Sequence, residues 1–143
     1  MDTYVISIKP EFANKILNGE KKVEYRKVIP KNSAGSYFFV YSSSPEKKVI
    51  CAFRCTRIIV DKDKEKVWNK TKVHAGITKE YFDEYFKDKN YACALVIGNV
   101  IPTLLGEMEK LSYYYINTPP QNYAIAFKGL EEELRNNIIG SLA

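Results

Sequence analysis

Along these 143 residues the hydrophobic spacing switches between two and 3.6 residues in irregular order, and that order constrains the fold most. Tyr4-Val5-Ile6-Ser7-Ile8 is rich in β-branched and aromatic residues and predicts a short buried strand. Pro10 suits the first turn of a helix, and Gly19 suits the position just past its end. Between them Phe12, Ala13, Ile16 and Leu17 share one helical stripe, while Lys15 and Asn18 fall off it. From Lys22 to Arg26 the chain alternates: Val23 and Tyr25 point one way, Lys22, Glu24 and Arg26 the other. Further strands are predicted at 37–41, at 49–60 with a bend near Arg54, at 91–101 and at 123–127. Thr78 is an N-cap for a helix reaching about Lys87, whose stripe Tyr81, Phe82, Tyr85 and Phe86 is read as core. Residues 61–72 read as a helix or an irregular crossover, and 130–139 as a short amphipathic helix. Five or six mostly short strands and about three helices in this order do not build a doubly wound sheet. An α+β domain with a curled sheet or small barrel is expected.

The length suits one domain, with no repeat or linker to divide it. Residues 1–128 are expected to form that domain and 129–143 a helical tail packed on it. No apolar run reaches the ~20 residues of a membrane helix, and the N-terminus lacks the pattern of a secretory signal. Three cysteines make a disulfide framework improbable and point to a reducing cytoplasm. The net charge of +5 is uneven: residues 1–72 carry 16 Lys/Arg against 8 Asp/Glu, whereas 73–143 carry 6 against 9. A basic half of this kind favours a polyanionic partner. The alternating run from Asp61 to Lys66, Lys64 included, reads as a solvated face. The informative charge lies in residues 9–31, where seven basic residues meet only Glu11, Glu20 and Glu24.

Several chemistries can be set aside. Cys51 and Cys55 share a strand face, and His74 and Cys93 are too scattered to complete a zinc knuckle; the cysteines read as buried and free, and no metal or cofactor is expected. His74 is the sole histidine, no nucleophile elbow or phosphate loop exists, and His74 reads as shaping a loop before Ala75-Gly76. What remains is the helix-to-strand junction, where Lys21, Glu24 and Arg26 lie close in sequence. On a solvent face they mean little. At the mouth of a curled sheet they converge, the arginine as a planar fork for phosphate or a base edge, the glutamate orienting it or accepting from a base amine.

Ser7-Ile8-Lys9-Pro10, then Ala13, Ile16 and Gly19-x-Lys21-x-x-Glu24-x-Arg26 resemble the signature of the ASCH domain, a branch of the PUA-like superfamily. Tyr41-Ser42-Ser43-Ser44-Pro45 with Lys47-Lys48, the segment Gly76 to Phe82 leading to Tyr85-Phe86, and Pro119-Pro120-Gln121 extend the resemblance over most of the chain, in the family's order. It is most similar to the small members labelled predicted transcriptional regulators, without room for a helix-turn-helix. The resemblance implies a small PUA-like β-barrel of five or six strands flanked by about three helices, with a cleft between barrel and first helix.

RNA, a nucleotide or a modified nucleoside is the ligand class the resemblance implies. On that reading Lys9, Lys21 and Arg26 meet phosphate or base oxygens, and Glu24 orients Arg26 or reads a base amine. Gly19 belongs to the signature, Ser42, Ser43 and Ser44 donate to phosphate or form an ordinary turn, and Gln121 presents its amide or braces a loop. Other family members resemble a ribonuclease or an amidohydrolase acting on N4-acetylcytidine. The amidohydrolases share a lysine at Lys21 but carry a threonine nucleophile where this chain has Glu24. A metal-independent hydrolase using Lys21 and Glu24 is therefore the alternative, and a protein-interaction module the third reading. A carboxylate this near is expected to keep Lys21 a charged anchor.

Overall fold

The computed structural model describes residues 1–104 and 106–141. Its elements run β1 (Tyr4–Ile8), α1 (Pro10–Leu17), β2 (Val23–Tyr25), β3 (Tyr37–Ser42), β4 (Lys48–Asp61), α2 (Lys64–Thr71), α3 (Lys79–Tyr85), β5 (Ala92–Pro102), β6 (Tyr123–Ile125) and α4 (Glu132–Gly140). The strands form one sheet in the order β2-β5-β4-β3-β1-β6, with β1 and β3 parallel and every other pair antiparallel. This is the expected α+β architecture. β4 and β5 are long, and their register shifts between Phe53 and Cys55 and again between Cys55 and Arg57. Such irregularities increase local twist and bend the strand. The bend expected near Arg54 is therefore where the longest pair turns.

Both faces of the sheet are covered, so β1 and β3 alternate between two cores rather than between core and water. Ile6, Phe38, Val40 and Phe53 pack with Ala13 and Ile16 of α1. Val5, Phe39 and Val49 pack with Tyr114 and Phe127, and Ile138 and Ile139 of α4 lie against that cluster. A third cluster joins Val23 and Tyr25 to Val67 of α2, Phe82 of α3 and Phe86 just after it. Thr78 caps α3 as its residue type predicts, accepting from the Tyr81 amide at 3.1 Å. The charged stretch after β4 resolves into α2, capped by Asp63, whose side chain accepts from the Glu65 and Lys66 amides.

Three readings of side-chain placement are corrected. Leu17 ends the α1 stripe and is exposed, while Ala13 and Ile16 alone carry the buried face of the helix. Tyr81 leaves the core and is exposed, while Phe82 and Phe86 are buried and Tyr85, half-buried, packs at the edge of their cluster. Lys64 is not merely solvated; its Nζ donates to the Phe86 and Lys89 carbonyls at 2.9 and 2.7 Å and closes the end of α3. Among the described residues no helix is long and apolar enough to cross a membrane.

All three cysteines are free and buried. Burial pushes the Cys51 thiol up to about 12 and, as the main cause, those of Cys55 and Cys93 to about 11. Unfolded thiols would ionise first, so the native state holds more protons above about pH 9. Stability from this source is complete below that pH and falls as pH rises toward 11–12. Urea midpoints measured from pH 8 to 11 should decline, and a flat profile would contradict the burial of these thiols.

Candidate functional site

The loop after α1 needs a tight reversal, and Gly19 supplies it with φ of +85°, a left-handed conformation that costs other residues strain. The Lys21 amide then bonds back to the Lys15 carbonyl at 3.0 Å, and the Lys22 amide bonds to the His74 carbonyl at 2.9 Å. His74 thus contributes through its backbone, as a loop residue. The chain enters β2 with Lys21 directed inward and Glu24 beside it.

Lys21 is 2% exposed. Its Nζ donates to the Ala75 carbonyl at 2.8 Å, lies 3.6 Å from Glu24 Oε1, and sits 5.0 Å from the Tyr25 ring centre. Gly76, at φ +68°, lies so close over the lysine stem that a Cβ there would come within 2.7–2.9 Å of three of its carbons. Burial lowers the Lys21 pKa, and the neighbouring Glu24 opposes that fall without cancelling it. The expectation that the nearby Glu24 carboxylate keeps Lys21 a charged anchor meets an opposing influence, desolvation, which is the larger of the two. The ammonium nevertheless has a carbonyl, a carboxylate and two aromatic faces around it, which is a setting built for a cation.

Glu24 Oε2 accepts from Arg26 Nε at 2.9 Å, so one carboxylate bridges two cations. Arg26 carries the connection further. One terminal nitrogen donates to Asn122 Oδ1 at 2.8 Å, just before β6, and the other donates to the Ser7 carbonyl in β1. Asn122 in turn donates to the Val28 carbonyl at 3.0 Å. β2 and β6 are the two ends of the sheet order and do not pair with each other. The guanidinium therefore joins the β2 end to β1 and to the approach to β6, and the curled sheet is closed at this point by side chains.

Beside this closure lies a cavity of about 700 Å³. Glu24, Arg26 and Ser7 line one side of it, with Tyr25 and Tyr41. Phe12 of α1 with Ile77, Tyr81 and Tyr85 line another. Phe12 and Tyr81 meet edge to face at 5.3 Å, and Tyr85 Oη accepts the Lys27 amide at 3.2 Å. Lys9, Ser43, Ser44 and Lys47 contribute from the turns that follow β1 and β3, and Pro119-Pro120-Gln121 from the segment before β6. Ser7 Oγ donates to the Pro120 carbonyl at 2.6 Å and holds that segment in place.

Of the residues singled out from sequence, Lys9, Glu24, Arg26, Ser43, Ser44 and Gln121 come together on this wall. Gly19, Lys21 and Ser42 do not. Gly19 is exposed in its turn, and Lys21 is sealed beneath Gly76, behind Glu24. Ser42 is fully buried at the end of β3, its hydroxyl without a partner among the described residues. The sequence reading missed the aromatic wall and Asn122. A signal for the wall was present: in the α3 stripe the two phenylalanines are buried and the two tyrosines, each with a polar tip, face the cavity. Asn122 had no local signal. No group of three or more His, Cys, Asp or Glu is placed to hold a metal among the described residues.

A curled six-stranded sheet, closed by an arginine and opening beside its first helix into a cationic and aromatic cavity, is the architecture of a PUA-like domain. Residues 6–103 match the ASCH domain, and the chain belongs to that family. It is 30% identical over 119 residues to a protein of Zymomonas mobilis subsp. mobilis named ASCH domain-containing ribonuclease, covering 82% of this chain and 80% of that one. Crystal structures of ZmASCH from Zymomonas mobilis superpose on it. A tyrosine-to-phenylalanine mutant gives a TM-score of 0.77 at 24% identity over the whole of both chains. A serine-to-alanine mutant gives 0.77 at 25% identity, over 99% of this chain and 97% of that one.

Proposed function

We propose that this ASCH domain binds single-stranded RNA and admits one nucleotide into the cavity beside α1. The observation that carries the reading is the cavity's division of chemistry. Its aromatic side offers Phe12, Tyr81 and Tyr85, on which a base can stack. Its mouth offers the exposed ammonium groups of Lys9 and Lys47 with the hydroxyls of Ser43 and Ser44, a set suited to phosphate oxygens. The ribonuclease name of the Zymomonas relative supports RNA as the polymer. Three free buried thiols accord with a reducing cytoplasm, and a regulatory output would act through RNA occupancy.

The test is fluorescence anisotropy with a short unstructured RNA over a range of salt. Affinity should fall as salt rises, because each neutralised phosphate releases counterions. Lys9→Ala and Lys47→Ala should each weaken binding and lower the log–log salt slope by about 1. Lys62→Ala, on the exposed mixed-charge run, should change neither. Equal losses in all three variants would reduce the attraction to diffuse charge and end the cavity reading.

Cleavage of the bound RNA is a second reading, favoured by the relative's name. Hydrolysis through Lys21 is a poorer fit, since its amine is turned to the Ala75 carbonyl and lies outside the cavity wall. Incubation with N4-acetylcytidine should therefore release no cytidine by chromatography. Turnover abolished by Lys21→Ala would overturn that placement.

A further inference from the structure

We infer that the cavity selects guanine as the base it admits, an inference that rests on the RNA reading above. The least exposed charged side chain on its wall is Glu24, and a carboxylate carries acceptors only. Each of its oxygens faces one cation, Lys21 for Oε1 and Arg26 for Oε2, and each oxygen has acceptor capacity beyond that single contact. A base entering the cavity must therefore bring N–H groups to this position, or leave a desolvated carboxylate facing its own acceptors.

The four bases differ sharply on this criterion. Guanine presents two adjacent donors, N1–H and the N2 amine, which match the two oxygens of one carboxylate. Cytosine and adenine present one amine beside a bare ring nitrogen, so one donor is matched and one acceptor opposes the carboxylate. Uracil presents a single N–H between two carbonyls, the least favourable pattern of the four. Guanine also places O6 next to N1–H, and that oxygen needs a donor. Arg26 lines the same wall with five N–H groups, of which three are committed to Glu24, Asn122 and Ser7. The ion pair thus sets an acceptor beside a donor, in the order that guanine's Watson–Crick edge reverses. A purine nucleotide also fits comfortably in about 700 Å³.

The experiment measures anisotropy for five labelled heptamers, three uridines on either side of a central G, inosine, A, C or U. The G heptamer should bind tightest, and inosine, which lacks only the N2 amine, should lose about tenfold. Glu24→Gln, checked for folding by its unfolding midpoint, should erase the difference between G and inosine. If that variant does not fold, the G-to-inosine comparison in the unaltered protein decides alone. Equal affinity for all five, or a preference for another base, overturns the selectivity and leaves RNA binding standing. No binding of any heptamer overturns the RNA reading and the selectivity with it.

Discussion

Glu24→Ala should destabilise the protein by ~3–5 kcal/mol, the loss expected when one member of a buried charged set is removed and the others are left uncompensated. Lys21 is 2% exposed and Glu24 6%, so water cannot replace the lost carboxylate around the ammonium. Arg26 would also lose the partner of its Nε, and with it part of the hold between β2 and the opposite side of the sheet. The reverse substitution should behave differently. Lys21→Met keeps much of the buried volume, removes the desolvated cation and leaves Glu24 paired with Arg26, so it should be near neutral. A double-mutant cycle measured by urea unfolding separates the two cases, because Glu24→Ala should cost less in the Lys21→Met background. Equal costs in both backgrounds would mean that the lysine does not depend on the glutamate.

The second large effect belongs to the aromatic side. Tyr81 is exposed on α3 and touches Phe12 edge to face, so the fold depends little on it and the cavity depends on it greatly. Tyr81→Ala should weaken RNA binding by ~1–3 kcal/mol, the range for one base stacked on one ring, with little movement of the unfolding midpoint. Tyr81→Phe should retain most of the affinity, because stacking uses the ring face and not the hydroxyl. Tyr85 makes a less clean probe, since its hydroxyl accepts the Lys27 amide and its ring lies 4.9 Å from the Lys27 ammonium. An unaltered affinity in Tyr81→Ala, with folding intact, would remove stacking from the account.

Taken together, the two experiments separate the inner layer of the site from its outer layer. Lys21, Glu24 and Arg26 form a ladder of charge that fixes where β2 sits, and only its last two members face the cavity. The signature spacing Gly-x-Lys-x-x-Glu-x-Arg thus encodes a turn, a buried counter-cation, a wall carboxylate and a closing arginine, in that order. Its lysine is buried behind the carboxylate in this arrangement.

Local periodicity made most elements legible in the amino-acid order. Pro10 and Gly19 bracket α1, Thr78 caps α3, and the β-branched runs of β1, β3 and β5 are strands within a residue or two. These signals act over a few residues, so they need no knowledge of the rest of the chain. The signature at the α1–β2 junction likewise singled out Glu24 and Arg26, which the structure brings to the cavity wall. What the order of residues could not decide was which face of each element is covered. Alternation in β2 suggested a polar face toward water or a barrel mouth, and it is the approach of Ser7 and Asn122, the latter 96 residues away, that covers Arg26. The same holds for Tyr81 and Tyr85, whose helical stripe is as apolar as a core stripe until Phe12 and the segment at Pro119-Pro120-Gln121 leave space beside it. Lys21 shows the opposite case: a charge expected in the cavity is sealed by Gly76, because a glycine there lets the loop close over its stem. Elements follow from neighbours in sequence, whereas a cavity is the space left between segments that lie far apart along the chain.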